Sequence, residues 1–444
     1  MTTKEILDYV HRHPSGRVKV ALADIDGVLR GKYVSAEKFA SIAEGSLGFC
    51  DVTFGWDMAD VAYDNGKFTG WHTGYPDTQV RIDLSTFRKI PWENDLPMFL
   101  GELTDAYPCP RCLLQRIRER ASSMGFLVNC SQEFEWFNFS ETPATLVEKG
   151  FRGLTPLTPG MFGYSLLRSS LKNAYMSDLF SLLGKFGIPL EGIHTETGPG
   201  VYEAAITYAP LLEAADRAIL FKTAVKEIAN AHGIIATFMA KWNENLPGCS
   251  GHIHQSLWDG EGTTNLFYLD GGVSDLMRSY IAGQLFCLPQ ILPMIAPTVN
   301  SYKRLVEGAW APTTLTWGID NRTVALRALP GGKKATRLET RVVGSDTNPY
   351  LAAAACVAAG LYGISHGLVL EQPATVGNGY RDTSHGVLPG SLAEATAIMR
   401  ASPVASELFG ADFVDHFART REWEWKQYSK AVSDWELKRY FEII

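Results

Sequence analysis

The sequence predicts an α+β protein in which a small N-terminal domain precedes a larger body of short strands and helices. Three observations carry that prediction. Near the start, RVKVALADIDGVLRGKYV sets two β-rich runs around Asp26-Gly27, a hairpin signal, and the helix-like SAEKFASIAEG follows. Further along, helical runs such as YMSDLFSLLGKFG and PLLEAADRAILFKTAVKEIANAHG alternate with short β-like runs that carry charged residues at every second position. The length, 444 residues, suits a small domain plus a large body with a substantial core.

Taken in order, MTTKEILDYVHRHPSGR is polar, lacks the apolar core of a secretory signal, and reads as an amphipathic helix stopped near Pro14-Ser15-Gly16. The expected location is cytoplasmic. The N-terminal domain continues through RIDLSTFRKIPW to LGELTDAYPCPR, where prolines and the helical LLQRIRERASSMG set a boundary between residues 1–107 and 108–444. WDGEGTTNLF reads as a hairpin loop and not a phosphate cradle, because no Lys-Ser or Lys-Thr follows its glycines. YLAAAACVAAGLYGI is too short for a bilayer span and is Ala-rich, with Asn348 placed as N-cap and Pro349 as first helical residue; it reads as a buried helix. There is no internal repeat and no low-complexity segment.

Hydrophobic content of 46% and charged content of 20% are those of a folded soluble chain, and a net charge of -7 disfavours nucleic acid and anionic membranes as partners. Small molecules are the expected ligands. Seven scattered cysteines suit a reducing compartment. CPRC, with Cys109 and Cys112, has zinc-ligand spacing but no second pair, so these read as loop or core thiols.

Charged residues cluster in four places. In SQEFEWFNF an extended chain points Glu133 and Glu135 to one face and Phe134 and Trp136 to the other. Two carboxylates that close need a cation or a shared proton. HTETGPGVYEAAI adds Glu196 and Glu203 on either side of a Gly-Pro-Gly turn. GCSGHIHQSL puts His252 and His254 on one strand face, and TRLETRV does the same for Arg337, Glu339 and Arg341. Arg304, Arg322 and Arg327 lie just upstream. Each cluster alone is an ordinary solvated strand face or loop. Together, five glutamates with a histidine suit hard ions such as Mg²⁺ or Mn²⁺, and the arginines suit a polyanion brought to them. A metal-nucleotide site follows, and both a phosphoryl transferase and an ATP-dependent ligase fit it.

The order of these motifs resembles the glutamine synthetase family through nearly all of the larger portion. EFEWF resembles the family's Glu-x-Glu-Phe-Phe, ETGPGVYE its Glu...Pro-Gly-x-x-Glu, and HIHQSL its His-x-His-x-Ser-Leu; NSYKRLV, NRTVALR and RLETRVVGSDTNPYLAAAA resemble its later signatures. The resemblance implies a β-grasp N-terminal domain and a catalytic domain of curved antiparallel strands and helices. It also implies a homo-oligomer, a hexameric ring or stacked double ring, with active sites between neighbouring subunits. By motif position it assigns Glu135, Glu196 and Glu203 to one metal and Glu133, His252 and Glu339 to another, within a site of two or three ions. Arg322, Lys334 and Arg337 fall around the ATP phosphates, Tyr208 and Ser256 on the nucleotide-pocket wall, and His254 and Arg327 on the phosphate side. Gly248, Arg304 and Arg341 fall at the acyl donor. The implied reaction joins glutamate's γ-carboxylate to an amine through an acyl phosphate made from ATP.

Two departures bear on the substrates. Ammonia-using members of the family carry a glutamate six places after the arginine of the Tyr-Lys-Arg motif, and here that place holds Trp310. An indole cannot take a proton from ammonium; it offers a flat apolar face. The family's Asp-Gly-Ser-Ser stretch, which reaches a neighbour's ammonium pocket, reads here as TFGWDMADV, so that Trp56 and Asp57 are expected at the amine, together with Tyr164. The residue before Gly248 is Pro247, where ammonia-using members have asparagine beside glutamate's α-amino group. The expected function is thus an ATP-dependent glutamate-amine ligase for a bulky or aromatic amine. The alternatives are a true glutamine synthetase and, from another class, an inactive structural or binding relative, which would be expected to have lost metal carboxylates.

Overall fold

The computed structural model describes residues 1–43, 45–104 and 107–444; Glu44, in SAEKFASIAEG, and Asp105 and Ala106, beside the expected boundary, lie outside the described residues. The chain opens with the helix Thr3–Arg12, started by a capping box between Thr2 and Glu5. A five-stranded sheet follows, made of β1 (Arg17–Ala23), β2 (Leu29–Ser35), β3 (Leu47–Cys50), β4 (Asp77–Ile90) and β5 (Leu96–Leu103) in the order β2-β1-β5-β4-β3. β1 and β5 are parallel and the other pairs antiparallel. The period of two divides the sheet's faces. Val18 and Val20 pack with Phe39 and Phe99 under the helices Thr3–Arg12 and Ala36–Ile42, whereas Ala21, Ala23, Met98 and Leu100 join the core of the body.

The β1–β2 turn is clamped by residues more than three hundred positions away. Gly27 has φ +80°, and a Cβ there would stand 2.8 Å from Asn348 Cα, so only glycine allows the approach. Asn348 Nδ2 donates to Asp24 O at 3.0 Å, and Arg421, 2% exposed, pairs with Asp26. A second tie is buried deeper. Arg111 bonds Glu102 (2.6 Å), Asp83 (2.8 Å) and Asp216 (2.9 Å), and Tyr350 donates to the same Asp216 at 2.6 Å.

The body is built on β6 (Phe126–Phe139), β7 (Leu190–Thr195) and β8 (Val201–Ile206), with the short β9 (Ala209–Pro210) and β10 (Ile235–Thr237) against β6. β11 (Ile253–Asp259) follows; β12 (Tyr268–Leu269) and β13 (Gly272–Val273) form a separate ladder; β14 (Trp317–Ile319), β15 (Leu326–Leu329) and β16 (Arg337–Thr340) complete the large sheet. Its order is β14-β15-β16-β11-β6-β8-β7, antiparallel except for β14 with β15. The long β6 curves between two partners, pairing β11 with its first half and β8 with its second. Helices Pro110–Ser123, Leu211–Ala231, Asp275–Ile295 and Pro349–Ser365 cover its back. The Ala-rich helix starts at Pro349 with Asn348 as N-cap, and Gly283, Gly360 and Gly363 let it lie tightly on Asp275–Ile295. The loop after β11 is closed by Asp259, whose carboxylate accepts from Thr263 N at 2.7 Å. All seven cysteines are free, and no helix among the described residues is long and apolar enough to cross a membrane.

Candidate active site

Strand parity builds the acidic centre. On β6, Phe134 and Trp136 are fully buried against Phe221 and Phe238, which turns Glu133 and Glu135 to the opposite face. Register then aligns side chains across strands: Glu135 stands opposite Glu203, Glu203 opposite His194, and His254 opposite Glu339.

Two groups of ligand-type atoms result. His194, Glu196 and Glu203 lie within 4.8 Å of one another, as do Glu133, His254 and Glu339. His194 Nε2 is 3.1 Å from Glu196 and 3.4 Å from Glu203. His252 Nδ1 is 3.3 Å from Glu133 and 3.2 Å from Glu339. Of the first set assigned by motif position, Glu196 and Glu203 group with His194 while Glu135 stands across the strands from Glu203; of the second, Glu133 and Glu339 group with His254, and His252 reaches both. His194 was missed by sequence reasoning, although its place two residues before Glu196 was the available signal. Glu135 is held by Ser250 N, which donates at 2.7 Å.

The electrostatics differ between the two groups. Burial pushes Glu203 well above the usual carboxylate range, and Glu133, Glu135 and Glu196 push it further. Against a similar burial, Arg341 and then His252 and His254 pull Glu339 down to about 2. His252 is lowered to about 4 by burial and by Arg341. The Nε2 atoms of His252 and His254 are both buried without a hydrogen-bond partner. Orphaned imidazole nitrogens beside crowded carboxylates are the donor set for a divalent cation.

Basic residues close the other sides. Arg327 pairs with Glu339 at 2.9 Å and with Asp320; Arg341 pairs with Glu339 and donates to Arg322 O at 3.1 Å. Arg304, 2% exposed, bonds only uncharged acceptors: Val342 O (2.9 Å), Arg341 O (3.1 Å) and Ser250 Oγ (2.9 Å). Among the described residues no carboxylate pairs with it, so no ion pair neutralises its charge. Gly248 is required beside it, because a Cβ there would stand 2.4 Å from Ala240 O and 2.8 Å from Arg304 Cγ.

A cavity of about 300 Å³ adjoins the acidic centre, and Glu133, Tyr208, His254, Ser256, Lys334 and Arg337 all line it. Of the residues expected at the nucleotide and its phosphates, Tyr208, His254, Ser256, Lys334 and Arg337 share this one space; Arg327 and the exposed Arg322 are not part of its lining. The residues expected at the amine are divided. Tyr164 stacks on His194, ring centroids 4.3 Å apart. Trp310 stands on the loop after Arg304, 55% exposed, at φ +58°. Trp56 lies under Arg30, 5.1 Å from its guanidinium carbon, and Asp57 accepts from Ala59 N, Val61 N and Trp423 Nε1. Within one chain the hydrogen bonds of Asp57 thus run to its own turn and to Trp423, not to the acidic centre.

An α+β chain with paired carboxylate-imidazole groups beside a cavity lined by Lys334 and Arg337 has the side chains of a metal- and nucleotide-dependent enzyme. Residues 108–440 match the family model described as glutamine synthetase, catalytic domain. The chain is 54% identical to type-1 glutamine synthetase 2 of Dictyostelium discoideum, over 99% of this chain and 86% of the relative. It is 37% identical to a glutamate–isopropylamine ligase of a Pseudomonas species, over 99% and 98%. The solved structure of a GmaS/ADP complex superposes with a TM-score of 0.85 at 27% identity, covering 98% of this chain and 99% of that one. The chain belongs to the glutamine synthetase family, whose members use ATP and divalent metals, and it is an ATP-dependent carbon-nitrogen ligase.

Proposed function

We propose that this enzyme joins the γ-carboxylate of glutamate to a bulky or aromatic amine, working in the cytoplasm as a hexameric ring or stacked double ring. The observation that carries the reading is Trp310: a half-exposed indole on the loop six residues after Arg304. An amine that packs on this face gains apolar contact, and the indole itself cannot take its proton. That suits an arylamine, which is largely neutral at pH 7. The name of the Pseudomonas relative supports an amine larger than ammonia; that of the Dictyostelium relative favours the second reading, a glutamine synthetase proper.

In the proposed reaction the donor's γ-carboxylate oxygen attacks the γ-phosphorus of ATP, releasing ADP and leaving an acyl phosphate; the amine nitrogen then attacks the acyl carbon, the acyl C–O bond breaks, and phosphate departs with the proton that the nitrogen loses. Glu135, Glu196 and Glu203, and Glu133, His252 and Glu339, would hold two or three Mg²⁺ or Mn²⁺ ions, which when bound would supply Lewis-acid stabilisation of the phosphoryl oxygens. Lys334 and Arg337, in the cavity, neutralise the phosphates of ATP. Arg322 and Arg327 fall on the same phosphate side, Arg327 oriented by Asp320 and Glu339. Arg304 takes the donor's α-carboxylate, and Arg341, aligned by Glu339, takes the reacting one.

The test is phosphate release from ATP and glutamate with a panel of amines. Turnover with benzylamine or aniline above that with ammonia is the expected result. Preference for ammonia over every amine would establish the second reading.

A further inference from the structure

We infer that Asp346 is a positioning residue for donor binding, setting the direction of Arg304 through the turn formed by Thr298 and Ser301. The inference rests on the proposed role of Arg304 at the donor's α-carboxylate.

Arg304 ends a helix of a single turn, Ser301–Arg304. Its side chain is packed on Gly248 on one side and its guanidinium bonds only neutral oxygens, so no ion pair fixes its orientation. Where that helix starts therefore decides where the guanidinium ends. The start is built from two hydroxyls that cap each other: Thr298 N donates to Ser301 Oγ at 3.0 Å, and Ser301 N donates to Thr298 Oγ1 at 3.1 Å. Each hydroxyl oxygen is thus an acceptor already and has one proton left to give. Both give it to the same atom, Asp346 Oδ2, from 2.9 Å (Thr298) and 2.6 Å (Ser301). Without that carboxylate oxygen the two hydroxyls, 3.0 Å apart, have only each other, and one proton loses its acceptor.

The other oxygen of the same carboxylate, Oδ1, is buried without a partner, the one carboxylate oxygen in that state among the described residues. It lies beside Gly344, as Arg304 does: a Cβ built on Gly344 would stand 2.4 Å from Oδ1 and 3.9 Å from Arg304 Nη1. The charge of Asp346 is felt there. Burial draws the guanidinium below its ordinary value, and Glu135 followed by Asp346 opposes that pull.

The loop bearing Asp346 is itself tied to the acidic centre. Ser345 Oγ donates to Glu135 O at 2.7 Å, and Lys222 Nζ holds Thr347 O at 2.8 Å from the far side. Asp346 thereby transmits the position of the Glu135 strand to the arginine that faces it, fixing the spacing between the metal side and the donor side of the site.

The experiment compares Asp346→Ala, Asp346→Asn and Ser301→Ala with wild type, using the full chain and measuring glutamate, ATP and thermal midpoints. Asp346→Ala is expected to raise KM for glutamate about tenfold or more, since two charge-assisted hydrogen bonds and a nearby countercharge are lost. KM for ATP should stay within about twofold, because the nucleotide cavity shares no residue with this turn. Asp346→Asn keeps an acceptor for the hydroxyls and should fall between, and Ser301→Ala should give a smaller rise of the same kind. An unchanged KM for glutamate in Asp346→Ala overturns the inference. So does a parallel rise for glutamate and ATP together with a lowered midpoint, which marks a merely structural role. If Asp346→Ala fails to fold, Ser301→Ala decides by the same criterion. Absence of glutamate-dependent turnover in wild type refutes the donor reading itself, whereas turnover with unmoved constants in the variants refutes only the role of Asp346.

Discussion

Removing the indole of Trp310 is the sharpest perturbation of the proposed amine specificity. A tryptophan side chain presents roughly 250 Å², and Trp310 is 55% exposed, so about 140 Å² is free, roughly half of it on one ring face. Covering about 70 Å² at ~25 cal/mol/Å² contributes roughly 1.7 kcal/mol. An aromatic amine adds about 0.5–1.5 kcal/mol for ring-ring geometry. Trp310→Ala should therefore raise KM for arylamines roughly 30- to 200-fold, while for small alkylamines the effect is much weaker. The backbone supplies a control. Trp310 has φ +58° and Gly308 φ +79°, a region that L side chains adopt at a cost. Trp310→Gly relieves that strain and Trp310→Ala does not, so the two should agree if the ring binds the amine and diverge if loop conformation governs activity. Trp310→Glu should move preference toward ammonia, since a carboxylate stabilises and discharges ammonium. The assay is amine-dependent phosphate release with ammonia, methylamine, ethanolamine, benzylamine and aniline. An unchanged ranking in Trp310→Ala would show that the indole only packs the loop, and the aromatic-amine reading would fall.

Glu339→Ala should abolish phosphate release while leaving a folded protein; most activity surviving at modest Mg²⁺ would overturn the metal assignment. The raised pKa of Glu203 makes this carboxyl hold a proton in the folded metal-free protein that it has lost in the unfolded chain. Its contribution to stability should accordingly be lost as pH rises above the ordinary glutamate range, His252, lowered to about 4, giving the opposite slope up to the ordinary histidine range, and metal binding should expel protons and tighten with pH. Calorimetric titration with Mn²⁺ in buffers of different ionisation enthalpy checks this, and equal heats in all buffers would refute it. Arg111→Met leaves Asp83 and Asp216 without their cation and Glu102 with only the exposed Arg81 and should cost about 3–5 kcal/mol of stability, read as a lowered thermal midpoint; an unmoved midpoint would show the network to be dispensable. Sedimentation should show an assembly of at least six chains, and a fully active monomer would sink the shared-site picture.

Much of the fold was legible because its signals are local. The Asp26-Gly27 turn, the charge alternation on β6 and β16, and the Asn348-Pro349 start of the buried helix each depend on residues within a few positions of one another. What ties these elements together was not legible. Asn348 clamping the β1–β2 turn, Arg421 meeting Asp26, and Arg111 joining three acids from three elements are contacts of long sequence separation, made by residue types that alone read as surface.

The acidic centre was readable for a reason that does not extend to the amine side. A period of two states which side chains share a face, so Glu133 with Glu135 could be paired on paper, and motif order supplied their partners across strands. Register was the missing quantity: it placed His194 opposite Glu203 and His254 opposite Glu339, and so brought each imidazole into a carboxylate group. Trp56 and Asp57 have no such rule, because they sit in an irregular segment where no period fixes direction. Asp57 shows the consequence. One of its oxygens closes its own turn and the other accepts from Trp423 at 2.8 Å; a carboxylate so engaged serves first to hold its loop on the helix Ala411–Tyr428. If that loop meets an amine, it does so by reaching a neighbouring subunit, and Trp56, its indole N–H buried without a partner, then contributes shape more than charge. The proposed amine pocket, with Trp310 and Tyr164 of one chain and Trp56 of a neighbour, would select by apolar contact, which is why the neutral, flat amines and not ammonium are its predicted ligands.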